Sequence, residues 1–168
     1  MKNYSLVFTL FFLLIISCKK EDTSSGDKTP GSTSIIFNVN KSDLLKLVNA
    51  VRASGCECGN TLMPAVLPIN WNDQLARAAY DHSVDMNQNN YFSHTSQTGS
   101  NAGQRITATG YNWTSYGENI AKGPSTEQAV MNGWLSSEDH CKNIMNAGFK
   151  EMGVGRDGIY WTQVFGSR

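Results

Sequence analysis

Histidine is scarce in this chain, three among 168 residues, so any imidazole chemistry rests on His82, His94 and His140 alone. Basic clusters are missing as well. Lysine and arginine number 14 and aspartate and glutamate 14, with no run of positive charge, which argues against a nucleic-acid partner. No apolar stretch is long enough to cross a bilayer: LVFTLFFLLIIS, at 6–17, spans 12 residues, whereas a membrane helix needs about 20. No HExxH or GxSxG stretch occurs, so neither a local zinc site nor a nucleophile elbow is written in one segment. Internal repeats are absent too, which excludes a repeat architecture.

The apolar stretch follows MKNYS, with its single Lys2, and has the length of a secretion-signal core. It ends in IISC. Ser17 before Cys18, with Ile15 two positions further back, resembles a bacterial lipoprotein signal. In that reading residues 1–17 are removed and Cys18 receives a diacylglycerol and becomes the new N-terminus. Multiple acyl chains anchor a protein to a membrane without a transmembrane helix. An ordinary cleaved signal with an incidental Cys18 is the competing reading. The next segment, KKEDTSSGDKTPGSTS, contains no apolar residue and cannot contribute to a core, so 18–37 is expected to be a flexible tether. Its CKKED start resembles the charged tag of surface-exported lipoproteins in some Gram-negative bacteria. The expected location is therefore the cell envelope, as an outer-membrane or cell-surface lipoprotein. Without Lys2 the chain holds 13 basic and 14 acidic residues, a net charge of −1.

Residues 38–168 have the length of one domain. KSDLLKLVNAVRASG places Leu44, Leu47, Val48 and Val51 on one helical stripe, with Ser42 as expected N-cap and Gly55 as stop. GNTLMPAVLPIN, with two prolines, reads as a loop. WNDQLARAAYDHSVDMNQNN is the clearest helix: Asn72 caps it, and Leu75, Ala79, His82, Ser83 and Met86 share a face. That face is made largely of small side chains, so a neighbour must approach closely. A short helix ending at Gly110 follows, then a strand in YNWTSYGENIAKG, then a helix with an expected capping box from Ser125 to Gln128. SEDHCKNIMNAG reads as a further short helix capped by Ser137. The end, FKEMGVGRDGIYWTQVFGSR, is a hairpin around RDG. Its last strand is apolar on both faces, through Ile159, Trp161 and Phe165 on one and Tyr160 and Val164 on the other. The expected fold is α+β: a small antiparallel sheet covered by helices on both faces.

Outside the cytoplasm two of Cys56, Cys58 and Cys141 are expected to pair. The expected bridge joins Cys141 to Cys56 or Cys58 and leaves one thiol over. A metal site of three Cys and a His is the alternative, although CxC replaces the usual CxxC spacing.

YFSH, GENIA, GW-x-x-S-x-x-H-x-x-NIM, MGVG and YWTQVFG occur in this order and together resemble the bacterial branch of the CAP superfamily, which includes cysteine-rich secretory proteins, venom antigens and pathogenesis-related proteins. The resemblance covers about Leu44 to Gly166. It implies an α-β-α sandwich with a cleft lined by two histidines and two acids. His94 matches the first histidine, Glu118 the acid of Gly-Glu-Asn, and His140 the second histidine. Ser137 stands where the second acid is usual, and Glu138 beside it should point about 100° away on a helix.

Two imidazoles and a carboxylate form a plausible set for Zn²⁺ or another divalent cation, so His94, His140 and Glu118 are the expected metal ligands. With Ser137 in place of the second acid, binding is expected to be weak and exchangeable. As a binding module, the domain is expected to take a lipid, sterol-like molecule, glycan or peptide in the cleft. A metal-dependent hydrolase acting on envelope or extracellular substrates, with Glu118 as base, is the alternative; a purely structural or adhesive module is a third. His94 and His140 hydrogen-bonding Glu118 as a brace is the bland counterpart of all three. His82 is expected to be a core histidine, Asn119 a backbone brace, and Arg52 and Arg105 partners of carbonyls or acids. A monomer is expected.

Overall fold

The computed structural model describes residues 37–168. The leader at 1–17, the lipidation position Cys18 and the tether as far as residue 36 lie outside the described residues.

Helix α1 runs from Lys41 to Ser54 and buries Leu44 and Val48. Its N-cap is Asn40, not the expected Ser42. Asn40 has the extended backbone of a cap, and its side chain accepts from the Asp43 amide at 3.2 Å. Ser42 already lies inside the helix and instead donates its hydroxyl to Asn40 Oδ1 at 2.8 Å. Gly55 ends the helix with φ 72°, where a Cβ would press on the backbone of Met63 and Ala65.

A small hairpin, β1 (Cys56–Cys58) and β2 (Thr61–Met63), leads into the stretch expected to be a loop, which holds its turn and second strand; Cys58 pairs with Thr61 across Gly59 and Asn60. Strands of three residues are too short to show a period, so the sequence does not announce them. After β3 (Asn70–Trp71) comes α2 (Asp73–Gln88), capped by Asn72 as expected through bonds from the Gln74 and Leu75 amides. Then follow α3 (Ala102–Ala108), β4 (Ser115–Lys122), α4 (Glu127–Ser136), α5 (Glu138–Ile144), β5 (Glu151–Asp157) and β6 (Tyr160–Ser167). Helix α4 is capped by Thr126 rather than Ser125, because the Thr126 side chain reaches the Ala129 amide.

The main sheet has the order β3-β5-β6-β4. Strands β4, β6 and β5 are antiparallel neighbours; only the two-residue β3 runs parallel, beside β5, so the sheet is mixed at one edge. Helices cover both faces. Leu44, Val48, Val130, Trp134 and Ile144 from α1, α4 and α5 pack with Trp161 and Phe165 on one side. On the other side Leu75, Ala78, Ala79 and Ile106 pack with Val164. The small face of α2 meets Gly153 and Gly155 of β5, where an added Cβ would overlap the backbone of Ala76 and Tyr80. The absence of side chains at these two positions of β5 lets the helix backbone lie directly against the strand.

Arg52 is buried and donates to the carbonyls of Leu67, Ile144, Asn146 and Phe149. It thus pairs with carbonyls, as expected, and ties α1 to the end of α5. Cys58 and Cys141 form the disulfide, joining the β1–β2 hairpin to α5, and Cys56 keeps a free thiol.

Candidate functional site

Strand β4 lies at the open edge of the sheet, with β6 on its inner side. Successive side chains of a strand point to opposite faces, so Glu118 and Asn119 serve different layers. The Glu118 side chain is 4% exposed. Its Oε1 meets His94 Nδ1 at 2.8 Å, and its Oε2 accepts from Arg105 Nη2 at 2.6 Å. Arg105, on α3, also donates through Nη1 to the carbonyls of His94 (3.1 Å) and Ser100 (2.9 Å) and to Ser96 Oγ (3.2 Å). One guanidinium therefore closes the loop that carries His94 and holds it against the carboxylate.

His82 secures the same loop from below. It is fully buried on α2, as expected of a core histidine, and its Nε2 meets the Ser93 carbonyl at 2.8 Å. Burial pushes its pKa down, against the smaller opposing effect of Glu118.

Asn119 builds the other side. It donates through Nδ2 to the His140 carbonyl at 3.1 Å and to Gln163 Oε1 at 3.0 Å. Asn143 donates to Asn119 Oδ1 at 2.9 Å and to the Glu118 carbonyl at 3.2 Å. Asn119 is thus the expected brace, and it fixes the backbone of His140 to the strand that carries Glu118. The His140 ring is half-buried, and its pKa is lowered first by desolvation and then by the charge of His94 nearby.

His94 and Glu118 therefore meet directly, and His140 comes within electrostatic reach of His94 without bonding Glu118. Among the described residues, the one set of three or more His, Cys, Asp or Glu ligand atoms lying within 4.8 Å of one another is Cys56, Cys58 and Cys141. The His94, Glu118 and His140 atoms do not close to that spacing. Both Glu118 oxygens are already engaged, one by a permanent cation, which makes the carboxylate a poor first ligand for a metal. The His94 side chain, by contrast, is 56% exposed. Its Nδ1 is oriented by Glu118, which leaves Nε2 to face a ligand, the arrangement of a carboxylate-backed imidazole.

Ser137 occupies the N-cap position of α5, but its side chain makes no capping bond. Glu138 does not replace the second acid: it is exposed, pairs with Lys142 at 2.5 Å and lies against Gly59. On the Glu118 face of β4, Tyr116 borders a groove of about 520 Å³ together with Gly103, Gln104, Thr107 and Trp113. Gly103 allows it, since a Cβ there would strike the Tyr116 ring. Arg105 pairs with an acid and with carbonyls, as expected, but its part in the site was not expected: a lone arginine in a seven-residue helix carries no local signal. Asn143 was likewise missed, although it lies within the H-x-x-NIM stretch.

The model of the CAP family, described as cysteine-rich secretory protein family, matches residues 45–165. Among curated proteins, the uncharacterized protein YkwD of Bacillus subtilis is 33% identical over 84% of this chain and 53% of its own length. The uncharacterized membrane protein YlbC of the same organism is 32% identical over 77% of this chain and 35% of its own. The chain thus spans about half or less of the curated relatives it matches. Among solved structures, an extracellular protein containing an SCP domain from Bacillus anthracis superimposes with a TM-score of 0.67 at 35% identity, over 76% of this chain and 40% of that one. An outer surface protein of Borrelia burgdorferi shares the fold at 21% identity, with a TM-score of 0.60 over 76% of this chain and 88% of that one.

Proposed function

The chain belongs to the CAP, or cysteine-rich secretory protein, family, and on that premise we propose that it is an extracytoplasmic ligand-binding module whose cleft presents His94 and His140 to a lipid, glycan or peptide. The observation that carries this reading is the buried Glu118 carboxylate, saturated by His94 and Arg105. It positions the exposed His94 ring and is itself closed to substrate. The groove at Trp113 and Tyr116, which neither histidine lines, would offer such a ligand a separate apolar surface. The extracellular relative from Bacillus anthracis supports a place outside the cytoplasm. An acyl anchor at Cys18 belongs to the same proposal and rests on the IISC pattern alone.

In this reading a divalent cation such as Zn²⁺ is held weakly and exchangeably by the two imidazoles, with Glu118 orienting His94 from behind. Calorimetric titration of Zn²⁺ into the protein tests it. Weak heat is expected in the wild type and none in His94→Ala or His140→Ala, while Glu118→Gln weakens binding without abolishing it. A silent wild type would end the cation part. Uptake unaffected by either alanine would move the ion elsewhere.

A second reading, a hydrolase, is favoured by one specific feature: Glu118 and His94 form a carboxylate–imidazole pair of the kind that serves as general base. Turnover of a peptide library that disappears in His94→Ala would favour it over the binder. No serine or thiol stands in a described hydrogen bond with either histidine ring, so the pair has no built nucleophile.

A further inference from the structure

Three sulfurs meet where the β1–β2 hairpin touches α5. Cys58 and Cys141 are fully buried and bridged, whereas Cys56 is half-buried and carries a free thiol. Cys56 Sγ lies 3.6 Å from Cys141 Sγ and 3.8 Å from Cys58 Sγ. The CxC spacing explains the meeting: residues two apart on a strand share a face, so β1 delivers two sulfurs to the one on α5. Thiol–disulfide exchange needs a thiolate within reach of a disulfide sulfur and a second thiol able to accept the bond. The attacking thiol and the bridge are in contact here, and the sulfur nearest solvent is the unbridged one.

We propose that Cys56, Cys58 and Cys141 form a thiol–disulfide exchange site, with Cys56 relaying the buried bridge to thiols in solvent. In the first step the Cys56 thiolate attacks Cys141 Sγ. A Cys56–Cys141 bond forms, the Cys58–Cys141 bond breaks, and the electron pair leaves on Cys58, which takes up the proton that Cys56 lost. This step is an isomerisation and consumes no oxidant. In the second step a solvent thiolate attacks the accessible Cys56 Sγ, forming a mixed disulfide and releasing Cys141 as a thiol. A second solvent thiol then attacks the substrate sulfur, so that two thiols become one disulfide and the protein bridge becomes two thiols. The nearly equal distances place Cys56 beside the existing bond rather than along its axis, so a rotation of its side chain precedes attack. The substrate class is a thiol: a small molecule or an exposed protein cysteine. Cys141 directly follows His140, so the bridge acts on the helix that supports the cleft.

The full chain, incubated with reduced glutathione, quenched in acid, alkylated and mapped by mass spectrometry without reduction, tests the proposal. Both Cys58–Cys141 and Cys56–Cys141 peptides are expected, with glutathione, among these three cysteines, attached at Cys56 only. Cys56→Ser should slow reduction of the buried bridge by about tenfold or more while leaving the melting temperature unchanged, which separates a relay from a merely structural thiol. Cys58→Ser should form Cys56–Cys141 and keep the fold. A peptide with a single cysteine, used beside glutathione, distinguishes the two thiol sources by which exchanges faster. One invariant bridge, together with wild-type reduction rates in Cys56→Ser, would overturn the relay. So would a reduced protein that does not exchange and instead holds one Cd²⁺ on all three thiolates.

Discussion

Arg105 decides what Glu118 can do. A carboxylate with 4% side-chain exposure, next to an arginine with 10%, is too costly to leave half-paired, because a buried charge that loses its partner cannot recover its hydration. Arg105→Ala is therefore expected to destabilise the domain by about 3–5 kcal/mol, read by urea denaturation. Adding Glu118→Gln should restore part of that loss, since the charge that needed the guanidinium is gone. Equal losses in the single and double variants would sink the pairing account. A second residue-scale effect comes from His82 and His140, whose pKa values both lie below the ordinary value. Below about 6.5 the unfolded chain binds protons that the folded one refuses, so stability contributed by these rings is complete above that pH and is lost as pH falls through the window beneath it. Thermal melts between about pH 7.5 and 5.5 should show a falling melting temperature, and His82→Gln should flatten the fall.

At the scale of elements, the contact of α2 with β5 is the tightest joint in the fold. Gly155→Ala places a methyl group where the Tyr80 backbone already stands, and neither backbone can retreat without opening the core. A loss of about 3 kcal/mol or failure to fold is expected, measured by chemical denaturation against Gly133→Ala, whose Cβ would meet nothing nearby. Long elements were legible. Leu75, Ala79, His82, Ser83 and Met86 are all buried on α2, because a 3.6-residue period is a property of the helix itself and needs no partner to be seen. The caps of α1 and α4 were misread by one or two positions, since neighbouring Asn, Ser and Thr residues are all competent and only the backbone angle at the junction selects one. The β1–β2 hairpin was not legible at all. Its strands are held by three cross-strand pairs and a disulfide to α5, and none of these leaves a periodic trace in the chain.

For the molecule as a whole, the acyl anchor proposed at Cys18 would set where the proposed cleft acts. If Cys18 is the acylated residue, metabolic labelling with a radioactive fatty acid should mark the wild type and recover it in the membrane fraction, and Cys18→Ser should lose both the label and the fraction. A labelled Cys18→Ser variant would place the acyl group elsewhere, and an unlabelled wild type in the soluble fraction would leave an ordinary secreted domain. Within 37–168 the layers were foreseen from pattern, because β6 is apolar on both faces and must be covered on both. The parallel β3 was not foreseen, two residues being too few to declare a direction.

What the sequence by itself determined is the family, the order of the five helices and the three long strands, and the two-sided burial of the sheet; it also singled out His94, Glu118 and His140 as candidate site residues. These follow from motifs and periods written along the chain. Only the tertiary structure decided that Glu118 belongs to Arg105 and His94, 13 and 24 positions away, that His140 is held by its backbone rather than by the carboxylate, and that Cys58 rather than Cys56 bonds to Cys141. The reason is physical. Local geometry repeats along a helix or strand and can be read in order, whereas the choice among several chemically able partners is made by distance after packing, and distance is not carried by spacing.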